Sequence, residues 1–173
     1  MWWRRAILAV ALAGCLAAAG CGFRPVYGTR SADPGVDNEL ATIRVNALPN
    51  RDGQLIRNAL LQRLTPDGEP ERPRYQLQMR VSASEVTEAV QPDGTASRDE
   101  VIYRVAFDLI NGDTKVYTGN FTRMLSYDYL DQHYSNISAR QDVQTRAADV
   151  IADQVQLELA AYFTRAAARR HPS

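Results

Sequence analysis

Apolar and polar residues alternate along four stretches of the chain, and two further stretches repeat apolar residues at helical spacing. Alternation with a period of two is typical of a strand with one buried face, whereas spacing of three and four is typical of an amphipathic helix. The predicted strands cover 42–48, 75–84, 101–110 and 116–127, and the predicted helices cover 52–64 and 138–163. The pattern therefore predicts the order strand, helix, three strands, helix.

The third predicted strand is apolar on both faces. One face carries Val101, Tyr103, Val105, Phe107 and Leu109, and the other carries Ile102, Ala106 and Ile110 beside Arg104 and Asp108. Such a strand is expected in the centre of a sheet, with partial cover on each side. We interpret the second face as a covered surface, and a partner protein is one source of that cover.

Turn signals and a change of parity divide the three-strand segment. Asn111-Gly112 predicts a tight hairpin turn, because both residues tolerate positive φ. The other hairpin is expected to turn near 92–94, where Pro, Asp and Gly follow one another. Beyond Glu85 the alternation shifts to Val86, which predicts a bulge or a more exposed part of a long arm.

The last helix is predicted from a capping signal and an apolar stripe. Ser138 with Gln141 resembles a capping box at the start of the helix. The stripe consists of Val143, Ala147, Val150, Ile151, Val155, Leu159, Tyr162 and Phe163. This helix is expected to close the core.

These elements predict an α+β fold with two helices packed on one face of a four-stranded mixed sheet, and with a right-handed crossover after the first strand. Residues 28–39 are rich in Gly, Pro, Asp and Ser, which predicts a tether. We expect a lipoprotein signal peptide at 1–20, a lipidated N-terminus and tether at 21–40, and one domain at 41–170. The 153 residues left after removal of residues 1–20 suffice for one domain with a core.

The first twenty residues have the layout of an export signal. Two arginines precede an apolar run at 6–19, which is shorter than the roughly 20 apolar residues that a spanning helix needs. Ala18-Ala19-Gly20-Cys21 and Leu12-Ala13-Gly14-Cys15 both resemble the box that precedes a lipid-modified cysteine. We expect lipidation at Cys21, because it leaves an apolar run of ordinary length, and Cys15 is the alternative.

A lipid-modified cysteine would anchor the exported domain to a membrane, since two or more acyl chains hold firmly. Gly22 follows Cys21 where an Asp would favour retention in the inner membrane, so delivery to the outer membrane is allowed. The other interpretation of the segment is an ordinary secretory signal with incidental cysteines.

Charge and cysteine content exclude several classes of protein. Without residues 1–20 the chain has 18 basic and 20 acidic residues, so no general nucleic-acid-binding field is expected. Use of Cys21 leaves no free thiol in the mature chain, and a disulfide network is excluded.

No catalytic or metal-binding constellation stands out in the sequence. His133 and His171 lack the spacing of a zinc site, and no Gly-rich phosphate loop or nucleophile elbow is present. Asp128 and Asp131 form a possible carboxylate pair, but the interleaved tyrosines fit a solvated loop as well. We predict a binding or assembly factor that is not an enzyme and has no cofactor or metal.

Arginines on the predicted hairpins are the candidate ligand-binding residues. Arg80 is expected on the wet face of its strand, Arg98 near the hairpin tip, and Arg104 and Arg123 on later strands. The planar guanidinium suits phosphate and carboxylate recognition. The alternative is a normally charged sheet surface.

The stretch Cys21-Gly22-Phe23-Arg24-Pro25-Val26-Tyr27-Gly28, followed by this order of elements, resembles the alphaproteobacterial type of the LPS-assembly lipoprotein family LptE. The resemblance implies a plug inside the large β-barrel LptD that assists assembly of the barrel and contacts lipopolysaccharide. It implies lipidation at Cys21 and lipopolysaccharide contacts by basic residues on sheet loops, for which Arg80, Arg98 and Arg104 are the candidates. Ala18 departs from the usual Leu of the box. The alternative function is an auxiliary outer-membrane lipoprotein of an ABC-type export system.

Overall fold

The computed structural model of the chain describes residues 34–87, 97–129 and 133–170. Its elements in chain order are α1 (Pro34–Leu40), β1 (Ile43–Val45), α2 (Asn50–Leu64), β2 (Tyr75–Thr87), β3 (Ser97–Asn111), β4 (Thr114–Tyr129) and α3 (His133–Arg170). The predicted order of strand, helix, three strands and helix is confirmed. One short helix, α1, precedes it.

The four strands form one mixed sheet in the order β1-β2-β3-β4. β1 pairs with β2 in parallel, while β2, β3 and β4 form an antiparallel meander. Gly112 turns the β3–β4 hairpin with a φ of 59°, a left-handed conformation that glycine adopts without strain. The predicted α+β fold with a four-stranded mixed sheet is confirmed.

Of the two alternatives predicted beyond Glu85, the bulge is wrong, because β2 and β3 pair without a register shift from Gln76 to Thr87. The more exposed part of a long arm is confirmed, since β2 continues to Thr87 with Glu85 and Val86 exposed. Glu85 continues the inward alternation of β2 and forms an ion pair of 2.7 Å with Arg140 of α3. Val86 consequently points to the other face and is 46% exposed. The irregularity lies instead between β3 and β4, at Leu109/Ile110.

The core lies between the sheet and the helices. The inward residues of β3 from Val101 to Leu109 are at most 4% exposed, and they belong to the same buried cluster as Ile56 and Leu60 of α2. Fully burying a large apolar side chain stabilises the fold by about 1.5–3 kcal/mol. Both long helices therefore pack on one face of the sheet, as the pattern predicts.

The predicted stripe of α3 is confirmed at most positions. Val143, Ala147, Ile151, Val155, Leu159 and Phe163 are at most 2% exposed, and Tyr162 is half-buried. Val150 is the exception, since it is 41% exposed. Val150 lies about 100° around the helix from Ile151, which turns it away from the core. Ala148 and Ala152 are buried in addition to the predicted stripe.

Two predicted boundaries at helix ends are wrong. α3 begins at His133, so Ser138 lies inside the helix and not in a capping box. Residues 34–40, predicted as the end of the tether, form α1, which packs against α3. Val36 and Leu40 are each 2% exposed because their spacing of four residues places both on the buried side of this short helix.

None of the helices in the described ranges is long and apolar enough to cross a membrane.

Candidate binding surface on the open face of the sheet

The face of the sheet opposite the helices is here called the open face. Within residues 34–87, 97–129 and 133–170, no helix packs on it. It is formed by alternate residues of the three long strands: Gln76, Gln78, Arg80, Ser82, Ser84 and Val86 of β2, Ile102, Arg104, Ala106, Asp108 and Ile110 of β3, and Thr118, Asn120, Thr122 and Met124 of β4.

Arg80 and Arg104, two of the predicted ligand-binding residues, are neighbours on this face. Arg80 pairs with Ala106 and Arg104 pairs with Ser82. The two arginines are therefore diagonal neighbours, with roughly 7–8 Å between their Cα atoms. The small side chains between them leave a shallow depression of about 390 Å³. Its lining comprises Arg80, Val81, Ser82, Arg104, Val105, Ala106, Asn120, Phe121 and Thr122.

Both guanidinium groups keep most of their donors available at this depression. Arg80 is 70% exposed, and its Nη2 lies 3.5 Å from Asp108 Oδ2. Arg104 is also exposed, and its Nη1 donates a hydrogen bond of 3.4 Å to Ser84 Oγ. A guanidinium has five N–H donors in a planar fork, so each can still bind a phosphate or carboxylate with two parallel hydrogen bonds.

Asp108 is a buried carboxylate at the end of the arginine pair. It is only 4% exposed, accepts a hydrogen bond of 2.8 Å from Thr118 Oγ1, and lies 3.0 Å from Lys115 Nζ. The hydrogen bonds from Thr118 and Lys115 hold the pKa of the Asp108 carboxyl below its usual value. Asp108 therefore stays charged at neutral pH and holds one side of Arg80 in place.

The alternation along β3 predicts that Asp108 lies on this face but does not indicate its role. The available signal was an Asp between Phe107 and Leu109 in the middle of a strand, where Asp is disfavoured. Its partners Lys115 and Thr118 lie on β4, across the hairpin. Thr118 is its direct register partner, and the register shift between Leu109 and Ile110 brings Lys115 to the same face as Asp108.

An apolar patch adjoins the arginine pair toward the other end of the strands. Ile102 pairs with Ser84 on one side and with Met124 on the other, while Val86 lies one diagonal step away. Met124 is 58% exposed, Val86 is 46% exposed and Ile102 is half-buried. The open face thus presents cations and exposed apolar side chains next to each other.

Arg98 does not join this pair. It lies in β3 opposite Asp128, six residues before Arg104, which is roughly 20 Å along a strand. Its side chain lies outside the described residues.

Arg123 lies on the opposite face of the sheet. It pairs with Tyr103, and both residues point toward the helices. Its Nη2 donates a hydrogen bond of 2.6 Å to Gln154 Oε1 of α3, and its guanidinium lies 5.5 Å from the centre of the Phe121 ring. Arg123 therefore joins β4 to α3 and is not part of the candidate surface.

The other residues singled out in the sequence are not tested by the structure. Cys15, Cys21, Asp131 and His171 lie outside the described residues, as do the side chains of Asp128 and His133. In the described part of the chain, no group of three or more His, Cys, Asp or Glu side chains is placed to hold a metal ion.

The model of the lipopolysaccharide-assembly family LptE matches residues 40–159. No curated protein sequence gives a match.

Solved structures of bacterial lipoproteins resemble the chain. A candidate lipoprotein from Caulobacter crescentus is 28% identical, with a TM-score of 0.63 over 75% of this chain and 96% of that one. A rare lipoprotein B from Shewanella oneidensis is 16% identical, with a TM-score of 0.47 over 71% of this chain and 95% of that one. A minor lipoprotein from Acinetobacter baumannii is 14% identical, with a TM-score of 0.47 over 69% and 88% of the two chains.

Proposed function

Because this chain belongs to the LptE family of lipopolysaccharide-assembly proteins, we propose that it binds lipopolysaccharide on its open face while it serves as the plug and assembly factor of an LptD-like outer-membrane β-barrel. In this proposal the chain is held at the periplasmic side of the outer membrane by acyl chains on Cys21. Its role is binding and positioning, with no catalytic step.

The single observation that carries the lipopolysaccharide proposal is the arginine pair beside an apolar patch. Lipopolysaccharide joins anionic groups to several acyl chains, so a surface that binds it needs cations and apolar side chains side by side. Arg80 and Arg104 supply planar donors for phosphate or carboxylate groups, and Ile102 and Met124 supply apolar contact area next to them.

The depression is shallow and open to solvent, as expected for a protein that binds a lipid and then releases it. A volume of about 390 Å³ accommodates a headgroup and not a whole lipid, and most of its lining side chains are exposed. Asp108 already neutralises part of the charge of Arg80, so a bound anion competes with an internal one. We expect this competition to weaken binding at Arg80 and so to favour release of the lipid during transport.

Affinity purification of the full chain from detergent-solubilised outer membranes tests the barrel part of the proposal. We expect recovery of a large β-barrel protein in a one-to-one ratio. Recovery of a monomer without a barrel, or of a periplasmic adaptor in its place, would overturn it.

A further inference from the structure

The depression on the open face is formed by two rows of three side chains, with one side chain from each long strand in every row. Arg80 pairs with Ala106, and Ala106 pairs with Asn120, which gives the first row. The second row is built in the same way from Ser82, Arg104 and Thr122. With strands about 4.8 Å apart and residues about 3.3 Å apart along a strand, the two rows cover roughly 10 Å by 7 Å. A patch of this size fits one small ring, whereas a stable protein–protein interface buries roughly 800 Å² per partner.

Ala106 forms the floor of the depression, because its methyl group is the smallest side chain in the two rows. It is half-buried, whereas Arg80, Arg104 and Asn120 around it are exposed. The longer side chains therefore stand around an apolar floor, and the C–H face of a ring can pack on this floor.

Three of the polar side chains around the floor are uncharged. Within the part of the chain that the structure describes, the side chains of Ser82, Asn120 and Thr122 form no hydrogen bond, and all three residues are exposed. A hydroxyl group has one donor and two acceptor sites, and an amide has both kinds of group, whereas a guanidinium only donates. The depression therefore offers hydrogen-bond acceptors as well as donors.

This mixture of groups specifies the chemistry of the ligand. Arg80 and Arg104 require an anionic group, since a guanidinium binds phosphate or carboxylate oxygens through charge-assisted hydrogen bonds. The acceptor oxygens of Asn120 and Thr122 require donors, and a fully ionised phosphate or carboxylate has none. A ring that carries several hydroxyl groups and one acidic group supplies both.

An extended peptide does not match the depression, because the middle of the sheet has no free backbone. The backbone of β3 is paired with β2 on one side and with β4 on the other. A peptide strand binds to a sheet by backbone hydrogen bonds at an edge. The ligand of this face therefore binds through side chains alone, as a small polyhydroxylated ring does.

We infer that the two rows bind one acidic sugar ring, with its carboxylate or phosphate on the arginine pair and its hydroxyl groups on Ser82, Asn120 and Thr122. The assignment of this sugar to the headgroup of lipopolysaccharide rests on the proposed function. The site itself follows from the donors, acceptors and dimensions of the depression.

The neighbouring rows give the bound ring a direction. The next row toward the Thr87 end of β2 contains Ile102 and the exposed Met124. The row on the other side contains Asp108 and Thr118, which are polar and already joined by a hydrogen bond. Acyl chains attached to the ring therefore extend over Ile102 and Met124.

Titration of the full chain in detergent with deacylated lipopolysaccharide tests the sugar site. This probe is the oligosaccharide that remains after chemical removal of all acyl chains, and calorimetry measures its binding. We expect inorganic phosphate and acetate to bind at least about tenfold more weakly, because a bare anion contacts only the guanidinium groups. Glucuronate and glucose 6-phosphate, titrated separately, distinguish a carboxylate from a phosphate on the ring.

A double variant removes the hydrogen-bonding groups and keeps the charge of the depression. Asn120→Ala with Thr122→Val is expected to weaken binding of the deacylated oligosaccharide about tenfold and to leave binding of inorganic phosphate unchanged. Asn58→Ala with Thr114→Val makes the same two changes at exposed positions away from the depression and is expected to bind like the wild type. Both variants are expected to keep the wild-type thermal melt, because all four residues are exposed.

Failure of this inference and failure of the proposed function give different results. If the wild type binds intact lipopolysaccharide but binds inorganic phosphate as tightly as the oligosaccharide, or if the Asn120→Ala, Thr122→Val variant binds the oligosaccharide like the wild type, the sugar inference is overturned and the proposed function stands. If the wild type binds the acidic sugars, with the expected loss in that variant, but does not bind intact lipopolysaccharide, the proposed function fails and the sugar site stands.

Discussion

Phe107 and Gly119 are register partners on β3 and β4, and the Phe107 ring occupies the space that a side chain at Gly119 would need. A Cβ at position 119 would overlap the ring and would lie 2.7 Å from Glu158 Oε2 of α3. Glu158 in turn accepts hydrogen bonds from Tyr117 and Gln154, at 3.1 and 3.0 Å. The absence of a side chain at Gly119 thus lets β4, β3 and α3 meet at one point.

We predict that Gly119→Ala lowers the free energy of unfolding by about 1–3 kcal/mol, because the added methyl displaces a buried ring and a carboxylate that bridges two elements. Urea denaturation followed by circular dichroism measures the difference. Asn120→Ala, the exposed neighbour on the other face, is the control and is expected to change stability by less than about 0.5 kcal/mol. Equal stabilities of Gly119→Ala and wild type would contradict this packing.

Asp108 is expected to make stability depend on acid pH. Its pKa is lowered by the hydrogen bonds from Thr118 and Lys115, so its contribution is present above the unfolded pKa of about 3.9 and is lost as pH falls through the lower folded pKa. We predict that Asp108→Asn costs about 1–2 kcal/mol at pH 7, since Lys115 and Arg80 are well exposed and solvent screens their charges.

The measurement is a series of urea titrations from pH 7 to pH 3. The gap between wild type and Asp108→Asn is expected to narrow below about pH 4, where Asp108 of the unfolded chain begins to bind a proton while the folded carboxyl is still charged. Asp113→Asn changes an exposed carboxylate in the neighbouring turn and serves as the control. A gap that stays constant over the series would show that the charge of Asp108 does not stabilise the fold.

The choice between the two cysteines is tested by acyl labelling. We predict that Cys21→Ala abolishes incorporation of radiolabelled palmitate and leaves the precursor uncleaved, because the thioether that precedes cleavage needs a thiol. Cys15→Ala, the matched control in the same apolar run, is expected to retain label and cleavage. The reverse pattern would assign the anchor to Cys15.

The order of elements and the two faces of β3 could be predicted because both depend on local periodicity. Inward Tyr103 and Phe107 and outward Arg104 and Ala106 alternate without interruption, and the structure places them as the pattern predicts. Glu85 continues this alternation on the inward face, but its charge hides the pattern, and its ion pair with Arg140 of a distant helix could not be predicted.

The short helix α1 and the start of α3 could not be predicted from the local sequence pattern either. α1 spans only 7 residues, so its two buried residues show no periodicity in the sequence. Ser138 carries a capping signature within a helix that begins at His133, which shows that a preceding turn can extend a helix past a suitable cap.

The sequence allowed a prediction of which arginines belong to the candidate site, but not of how they are arranged in space. Arg80 and Arg104 could each be placed on an exposed strand face, but their proximity follows from the register of β2 against β3 across a long hairpin. Arg98 is separated from the pair because it lies six residues before Arg104 along β3, whereas the register of β4 against β3 places Arg123 on the helix side.

The most direct test of the central claim is the dissociation constant of lipopolysaccharide for the purified full chain and for Arg80→Ala with Arg104→Ala. We predict that the double variant binds at least about tenfold more weakly, because it loses charge-assisted hydrogen bonds from both guanidinium groups. Arg51→Ala with Arg72→Ala removes the same charge from exposed positions outside the open face and is expected to bind like the wild type. Equal weakening of the two double variants, or no weakening of either, would contradict lipopolysaccharide binding at the arginine pair.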